Sequence, residues 1–128
     1  VDYAPAAIAR SAAAAGERRM RHVVADLRKL PHEDFPDGSV DVVLDKGAFD
    51  AVICTGRSAV SEMASELRRV VRADGRVFIV SGVATAEDLL SAFAGWDVEL
   101  DGSPYITEDG DATIGLCARL YVFRRREV

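Results

Sequence analysis

The stretch VDVVLDKGAFDAVI, residues 40–53, decides how the rest of this chain is read. Its first half is a β-branched and apolar run, Val40 to Leu44, of the kind that fills a buried strand. The run ends on Asp45, and Lys46-Gly47 follow at once. A strand that stops at an acid and a glycine, with a helical pattern behind it, reads as the junction of a βα unit. In an open parallel α/β sheet, ligands bind outside the carboxyl ends of the strands. Asp45 therefore stands where such a sheet keeps its chemistry.

Two segments upstream repeat the pattern. VDYAPAAIA, residues 1–9, reads as a strand tip at Asp2-Tyr3 running into a helix. Alanine has the highest helix propensity and proline suits a first helical turn, so PAAIARSAAAA predicts a helix over 5–15 with Gly16 as its C-cap. RHVVADLRKL, residues 21–30, predicts a short strand from His22 to Ala25 that ends at Asp26. PHEDFPDGS, 31–39, is a loop, with two prolines and Asp37-Gly38 as turn signals.

Downstream, SAVSEMASELRRVV predicts a helix over 58–71. Val60, Met63, Leu67, Val70 and Val71 share its apolar face. Ala73-Asp74-Gly75 reads as a turn into a buried strand, RVFIVS. Thr85-Ala86-Glu87-Asp88 resembles a capping box before Leu89 to Phe93, and Gly95 stops that helix. WDVEL (96–100) reads as a strand, GSPYITEDGDAT (102–113) as a loop, and IGLCARLYVF (114–123) as a last strand. The order β-α-β-loop-β-α-β-α-β-loop-β implies one α/β domain with a mainly parallel sheet. The last two strands have no helix between them and are expected to pair antiparallel.

The totals exclude several classes. A chain of 128 residues holds one domain, and 49% apolar with 29% charged residues is a globular composition. A net charge of −5 argues against a nucleic-acid surface and against an anionic membrane. No apolar run is long enough to span a bilayer. Two cysteines make no disulfide framework, so a reducing cytosol fits. Two histidines and two cysteines supply no zinc constellation, and no metal is expected.

Asp2, Asp26 and Asp45 thus end three strands in register, and one cleft can hold all three carboxylates. One can accept from both hydroxyls of a ribose, another from an adenine amino group or beside a cationic centre. Nucleotide sites of this type place a glycine-rich turn about 20 residues before the ribose acid. Asp2 is the second residue, so that turn would precede this chain; Gly75 and Gly82 read as turn residues. The competing reading is structural, since aspartate favours turns wherever strands end.

These segments resemble a known family. VDYAPAAIA, ADLRKLP and VVLDKGAFDAVI are similar to class I S-adenosylmethionine-dependent methyltransferases. They resemble most the branch of protein-lysine methyltransferases that modifies translation elongation factor 1-alpha, with its IDYS strand end and DKGTFDA or DKGTLDA segment. ELRRVVRADGRVFIVS and TAEDLLSAF extend the likeness to about residue 124, and DKGAFDA is its most specific part. The serine that follows DY in the family is Ala4 here.

The resemblance implies a Rossmann-like methyltransferase sheet lacking its first strand and helix, and S-adenosylmethionine as cofactor. Asp2 matches the acid that binds the ribose hydroxyls, with Tyr3 beside the adenosine. Asp26 matches the acid near the adenine, and Leu27 a contact to the ring. Asp45, with Lys46 and Gly47, matches the segment where cofactor and target amine meet, which makes Asp45 the candidate catalytic residue. Without the first strand and its glycine turn, residues 1–128 are expected to be poorly stable or to bind the cofactor weakly. The expected partner is a protein substrate, the elongation factor, in the cytoplasm. A small-metabolite methyltransferase and an inactive methyltransferase-like binding domain are the alternatives.

The remaining features read as structural. Phe49 and Trp96 are expected in the core, Cys54 as incidental, Cys117 as a small buried residue, and Arg124 to Arg126 as a solvated strand end. Lys46 either serves the site or pairs with a surface acid. The acidic loop TEDGD, 107–111, is solvated or faces a basic target.

Overall fold

The computed structural model describes residues 1–104 and 118–127. Its elements are α1 (Pro5–Ala15), β1 (Val40–Lys46), α2 (Ala48–Ile53), α3 (Arg57–Val70), β2 (Val71–Ser81), α4 (Ala86–Ala92), β3 (Asp97–Pro104) and β4 (Arg119–Arg124). The four strands form one sheet in the order β1-β2-β4-β3. β1 runs parallel to β2, while β4 is antiparallel to both of its neighbours. This is the α/β fold anticipated for the chain, with the last strand antiparallel as expected.

α2, α3 and α4 cover one face of the sheet. Val60, Met63, Leu67 and Val70 line the buried side of α3, which is the face the helical spacing predicted. They meet Val77 and Ile79 of β2 and Tyr121 and Phe123 of β4. These alternate positions point one way because strand side chains repeat every two residues. Phe93 stacks on Phe123 at 4.4 Å with the rings 12° apart, and Trp96 meets Phe93 edge-on at 5.5 Å. Phe49 and Trp96 are core residues as expected. The other face is open at β1, where Leu44 is 79% exposed and Val42 is exposed too. α1 has no buried residue, so its helicity rests on alanine propensity, Pro5 in its first turn and Gly16 at its end.

Several local expectations hold. Thr85 and Asp88 form a reciprocal capping box, with Asp88 N–H on Thr85 Oγ1 at 3.1 Å and Thr85 N–H on Asp88 Oδ2 at 2.9 Å. Gly95 follows α4 at φ 87°, a left-handed value that suits glycine.

Others need correction. Residues 22–25 are not a strand: a single parallel bridge joins Asp2 to Val24. The ladder cannot lengthen because Pro5 starts α1 on one side and Asp26 enters a turn on the other, with Lys29 N–H on Asp26 O at 3.0 Å. Ala73-Asp74-Gly75 is not a turn before a strand but an irregularity inside β2, where the β1 register jumps from Val40↔Val71 to Val42↔Arg76. Asp74 adopts φ 60° there, and Arg125 N–H closes on Gly75 O at 2.9 Å. A side chain at Gly75 would lie 2.9 Å from the carbonyl oxygens of Arg72 and Asp41, so glycine is required by close approach. Val71 is extended and belongs to β2 rather than α3. The arginines at the end of β4 are paired rather than merely solvated: Arg124 reaches Asp97 at 2.8 Å, and Arg126 reaches Asp97 at 2.5 Å. The TEDGD loop, Cys117 and the first part of the segment 114–123 lie outside the described residues.

One side-chain cluster holds the long loop before β1 onto α3. Arg69 donates to Glu66 at 2.6 Å, to Asp37 at 2.8 Å, and to the carbonyls of Phe35 and Leu30 at 2.8 and 3.2 Å. Glu66 in turn accepts from Leu30 N–H at 2.9 Å. The five donors of a guanidinium fork can serve these four acceptors at once, one more than the three N–H groups of a lysine allow.

Candidate functional site

The Asp2–Val24 bridge sets the first part of the site. Asp2 N–H donates to Val23 O at 3.2 Å, and Ala25 N–H donates to Asp2 O at 3.0 Å. Because the pairing is parallel, Asp2-Tyr3 and Asp26-Leu27 leave it in the same direction. Asp2 Oδ1 accepts from Ala4 N–H at 2.8 Å, a local turn that fixes the carboxylate; among the described residues Oδ2 accepts no bond. Tyr3 is 77% exposed, so its ring is available to a ligand.

Asp26 is placed beside Asp2 but is already engaged. Arg28 grips it with Nε on Oδ1 at 3.0 Å and Nη2 on Oδ2 at 2.6 Å, and Arg28 N–H adds a bond to Oδ1 at 2.9 Å. These side-chain bonds hold the Asp26 carboxyl below the usual aspartate range. A ligand amino group would have to share Asp26 with Arg28. Leu27 packs partly against the core, which limits it to an apolar edge or a backbone contact.

Asp45 is at the carboxyl end of β1, and only 7% of it is exposed. Its two oxygens accept from Ala48 N–H at 2.8 Å and Phe49 N–H at 2.9 Å. The strand therefore turns into α2 around this carboxylate, across Gly47 at φ 99°. Burial pushes the Asp45 carboxyl up; the Ala48 and Phe49 amides oppose this, and the charge of Asp50 adds to it. Lys46 is exposed.

Asp2, Tyr3, Asp26 and Leu27 are thus brought together, while Asp45 belongs to the four-stranded sheet. Among the described residues no backbone bond joins β1 to the Asp2–Val24 pair. An open cavity of about 380 Å³, lined in part by Val1, Val23, Ser39 and Val40, lies between them. No group of three or more metal-ligating side chains occurs among the described residues.

Two residues of the strand-end region have no reading in the sequence analysis. Asp50, in the first turn of α2, accepts from the Ser81 hydroxyl and from Gly82 N–H at 3.0 Å. The signal was weak: Asp50 is one more acid in a helix, and Ser81 one more strand-end serine. Only the pairing of β1 with β2 brings them together.

Comparison with known proteins adds a common theme. A family model described as a methyltransferase domain matches residues 1–79. Among solved structures, a SAM-dependent methyltransferase of Methanosarcina mazei aligns with a TM-score of 0.74 at 11% identity, over 99% of this chain and 81% of that one. The N-methyltransferase NodS of Bradyrhizobium japonicum gives 0.66 at 15% identity, over 98% and 71%. The 1,6-didemethyltoxoflavin-N1-methyltransferase of Burkholderia thailandensis, solved with S-adenosylhomocysteine, gives 0.63 at 18% identity, over 93% and 56%. At these identities the likeness is one of fold.

Proposed function

We infer the reaction from one premise: this chain belongs to the methyltransferase-domain family. In this reading it is an S-adenosylmethionine-dependent methyltransferase, and the elements around Asp2 hold the cofactor. The observation that carries the assignment is the state of Asp2. One carboxylate oxygen is pinned by Ala4 N–H, the other accepts nothing among the described residues, and the exposed Tyr3 ring is adjacent. The open oxygen, with the remaining lone pair of its pinned partner, fits a ribose diol, and the ring fits the flank of an adenosine. Asp26 and Leu27 would border the adenine once Arg28 yields one oxygen.

Bound there, S-adenosylmethionine supplies a methyl group already activated on a sulfonium. What remains for the chain is alignment and exclusion of water, not strong acid–base chemistry. Asp45 serves alignment: its buried carboxylate fixes the turn from Lys46 to Phe49 and so the rim at which an acceptor arrives. An acceptor amine must be neutral to attack, and water can take its proton.

The acceptor we propose is a protein lysine, on translation elongation factor 1-alpha, in the cytoplasm. The likeness of VDYAPAAIA, ADLRKLP and DKGAFDA to that branch supports this reading. A small-molecule acceptor is the second reading, favoured by the likeness in fold to an enzyme solved with 1,6-didemethyltoxoflavin. Incubating the protein with labelled cofactor and cell extract separates them. Label in a single protein band, mapped to a lysine by mass spectrometry, supports the first; label confined to the small-molecule fraction refutes it.

A further inference from the structure

Asp50 lies in the first turn of α2 but directs its carboxylate outside its own helix. Its two oxygens reach across from α2 to the end of the neighbouring β2, to the Ser81 hydroxyl and Gly82 N–H. Ser81 is 2% exposed and passes the constraint on: its Oγ accepts from Ala84 N–H at 2.9 Å and Val83 N–H at 3.3 Å. One carboxylate thereby shapes the whole segment from Ser81 to Ala84. Ser81, Gly82 and Ala84 of that segment wall an open cavity of about 360 Å³, which Thr85, Asp101 and Tyr121 also line. β1 and β2 are in parallel register, Lys46 opposite Val80, so Ser81 lies one step beyond the level of Lys46 at the same carboxyl end of the two strands. Cofactor contacts on Asp2 and Tyr3 leave this strand-end cavity to the other reactant.

We propose that Asp50 is a positioning residue for the methyl acceptor, acting through Ser81 on the wall formed by Gly82 and Ala84. The proposal rests on the methyltransferase reading. A carboxylate suits the task because it accepts from two donors at once; an asparagine oxygen can serve one well, and alanine none.

The test uses the full chain with Asp50→Ala, Asp50→Asn and Ser81→Ala. Methyl transfer is measured to elongation factor 1-alpha, and to a panel of small amines if that protein stays unlabelled. Titration with S-adenosylhomocysteine and amide exchange run beside it. In Asp50→Ala and Ser81→Ala the acceptor KM should rise roughly tenfold or more, with S-adenosylhomocysteine affinity unchanged and exchange at Val83 and Ala84 accelerated by a similar factor. Val77 and Ile79 should exchange as before, and Asp50→Asn should fall between alanine and wild type. An unchanged acceptor KM, a parallel loss of S-adenosylhomocysteine affinity, or unchanged exchange at Val83 and Ala84 would overturn the proposal. A wild type that binds S-adenosylhomocysteine but labels neither acceptor class overturns the acceptor role of Asp50 as proposed, whereas a wild type that does not bind S-adenosylhomocysteine refutes the methyltransferase reading instead.

Discussion

Phe49 N–H donates to Oδ2 of Asp45 at 2.9 Å, so the carboxylate that ends β1 also starts α2. The partner oxygen does the same for Ala48. A residue at a strand end can therefore be structural and site-defining at once, and substitution should separate the two.

Asp45→Ala leaves two amides of the first helical turn without an acceptor. A loss of about 2 kcal/mol of unfolding free energy is expected, by the usual cost of an orphaned buried donor. Asp45→Asn keeps one acceptor and should lose less. Urea unfolding of the three proteins at neutral pH checks the ranking; equal stability would show that water replaces the carboxylate.

The same pair has a pH signature. Burial raises the Asp45 carboxyl above its ordinary value in the folded protein. A raised acid favours folding most below the unfolded value, and that advantage is lost as pH rises through the folded one. The stability of wild type relative to Asp45→Asn should accordingly fall between acidic and neutral pH. A pH series of urea midpoints measures it.

Arg69 and Glu66 respond the other way. Arg69 holds the carboxyls of Glu66 and Asp37 below their usual range. Depressed acids contribute stability above the unfolded value and lose it as pH falls through the folded one. Arg69→Ala should cost about 2 kcal/mol, the scale of hydrogen bonds to a charged group, and should flatten the acid limb of the pH profile. Arg69→Lys should recover little, because one ammonium cannot reach both loop carbonyls and both carboxylates.

Asp2→Ala should lower S-adenosylhomocysteine affinity about tenfold or more, the scale of two lost charge-assisted bonds, while melting changes little. Among the described residues its side chain makes one hydrogen bond, a local one to Ala4 N–H. Unchanged affinity would remove Asp2 from the cofactor site.

Arg28→Ala releases Asp26 from a two-pronged grip without disturbing the core. If Asp26 takes an adenine amino group, S-adenosylhomocysteine should bind more tightly to this variant than to wild type. Weaker binding would show that Arg28 itself touches the ligand.

Much of this was legible from local signals. Pro5 and Gly16 bracket α1, the spacing of Val60, Met63, Leu67 and Val70 describes one helix face, and Thr85 with Asp88 announces a cap. Each depends on residues within one or two turns of each other. The reading failed where the outcome depended on a distant partner. Val23-Val24 look like a strand, yet a strand needs a neighbour of matching length and Asp2 supplies one bridge. Asp74-Gly75 look like a turn, yet β1 and the carbonyl of Arg125 draw them into β2.

The site divides along the same line. By itself the sequence determined that Asp45 stands at a strand end, because a β-branched run stopped by aspartate encodes that locally. It marked Asp2 and Asp26 as acids of the same kind, although a single bridge and not a ladder joins their segments, and it carries the family likeness. Tertiary structure alone decided what each carboxylate has left to offer. Asp2 keeps an oxygen without a partner among the described residues, Asp26 is held by Arg28, Asp45 is consumed by its own helix, and Asp50 is committed to Ser81. A carboxylate's availability is set by the donors that packing brings within about 3 Å, and sequence spacing does not record those.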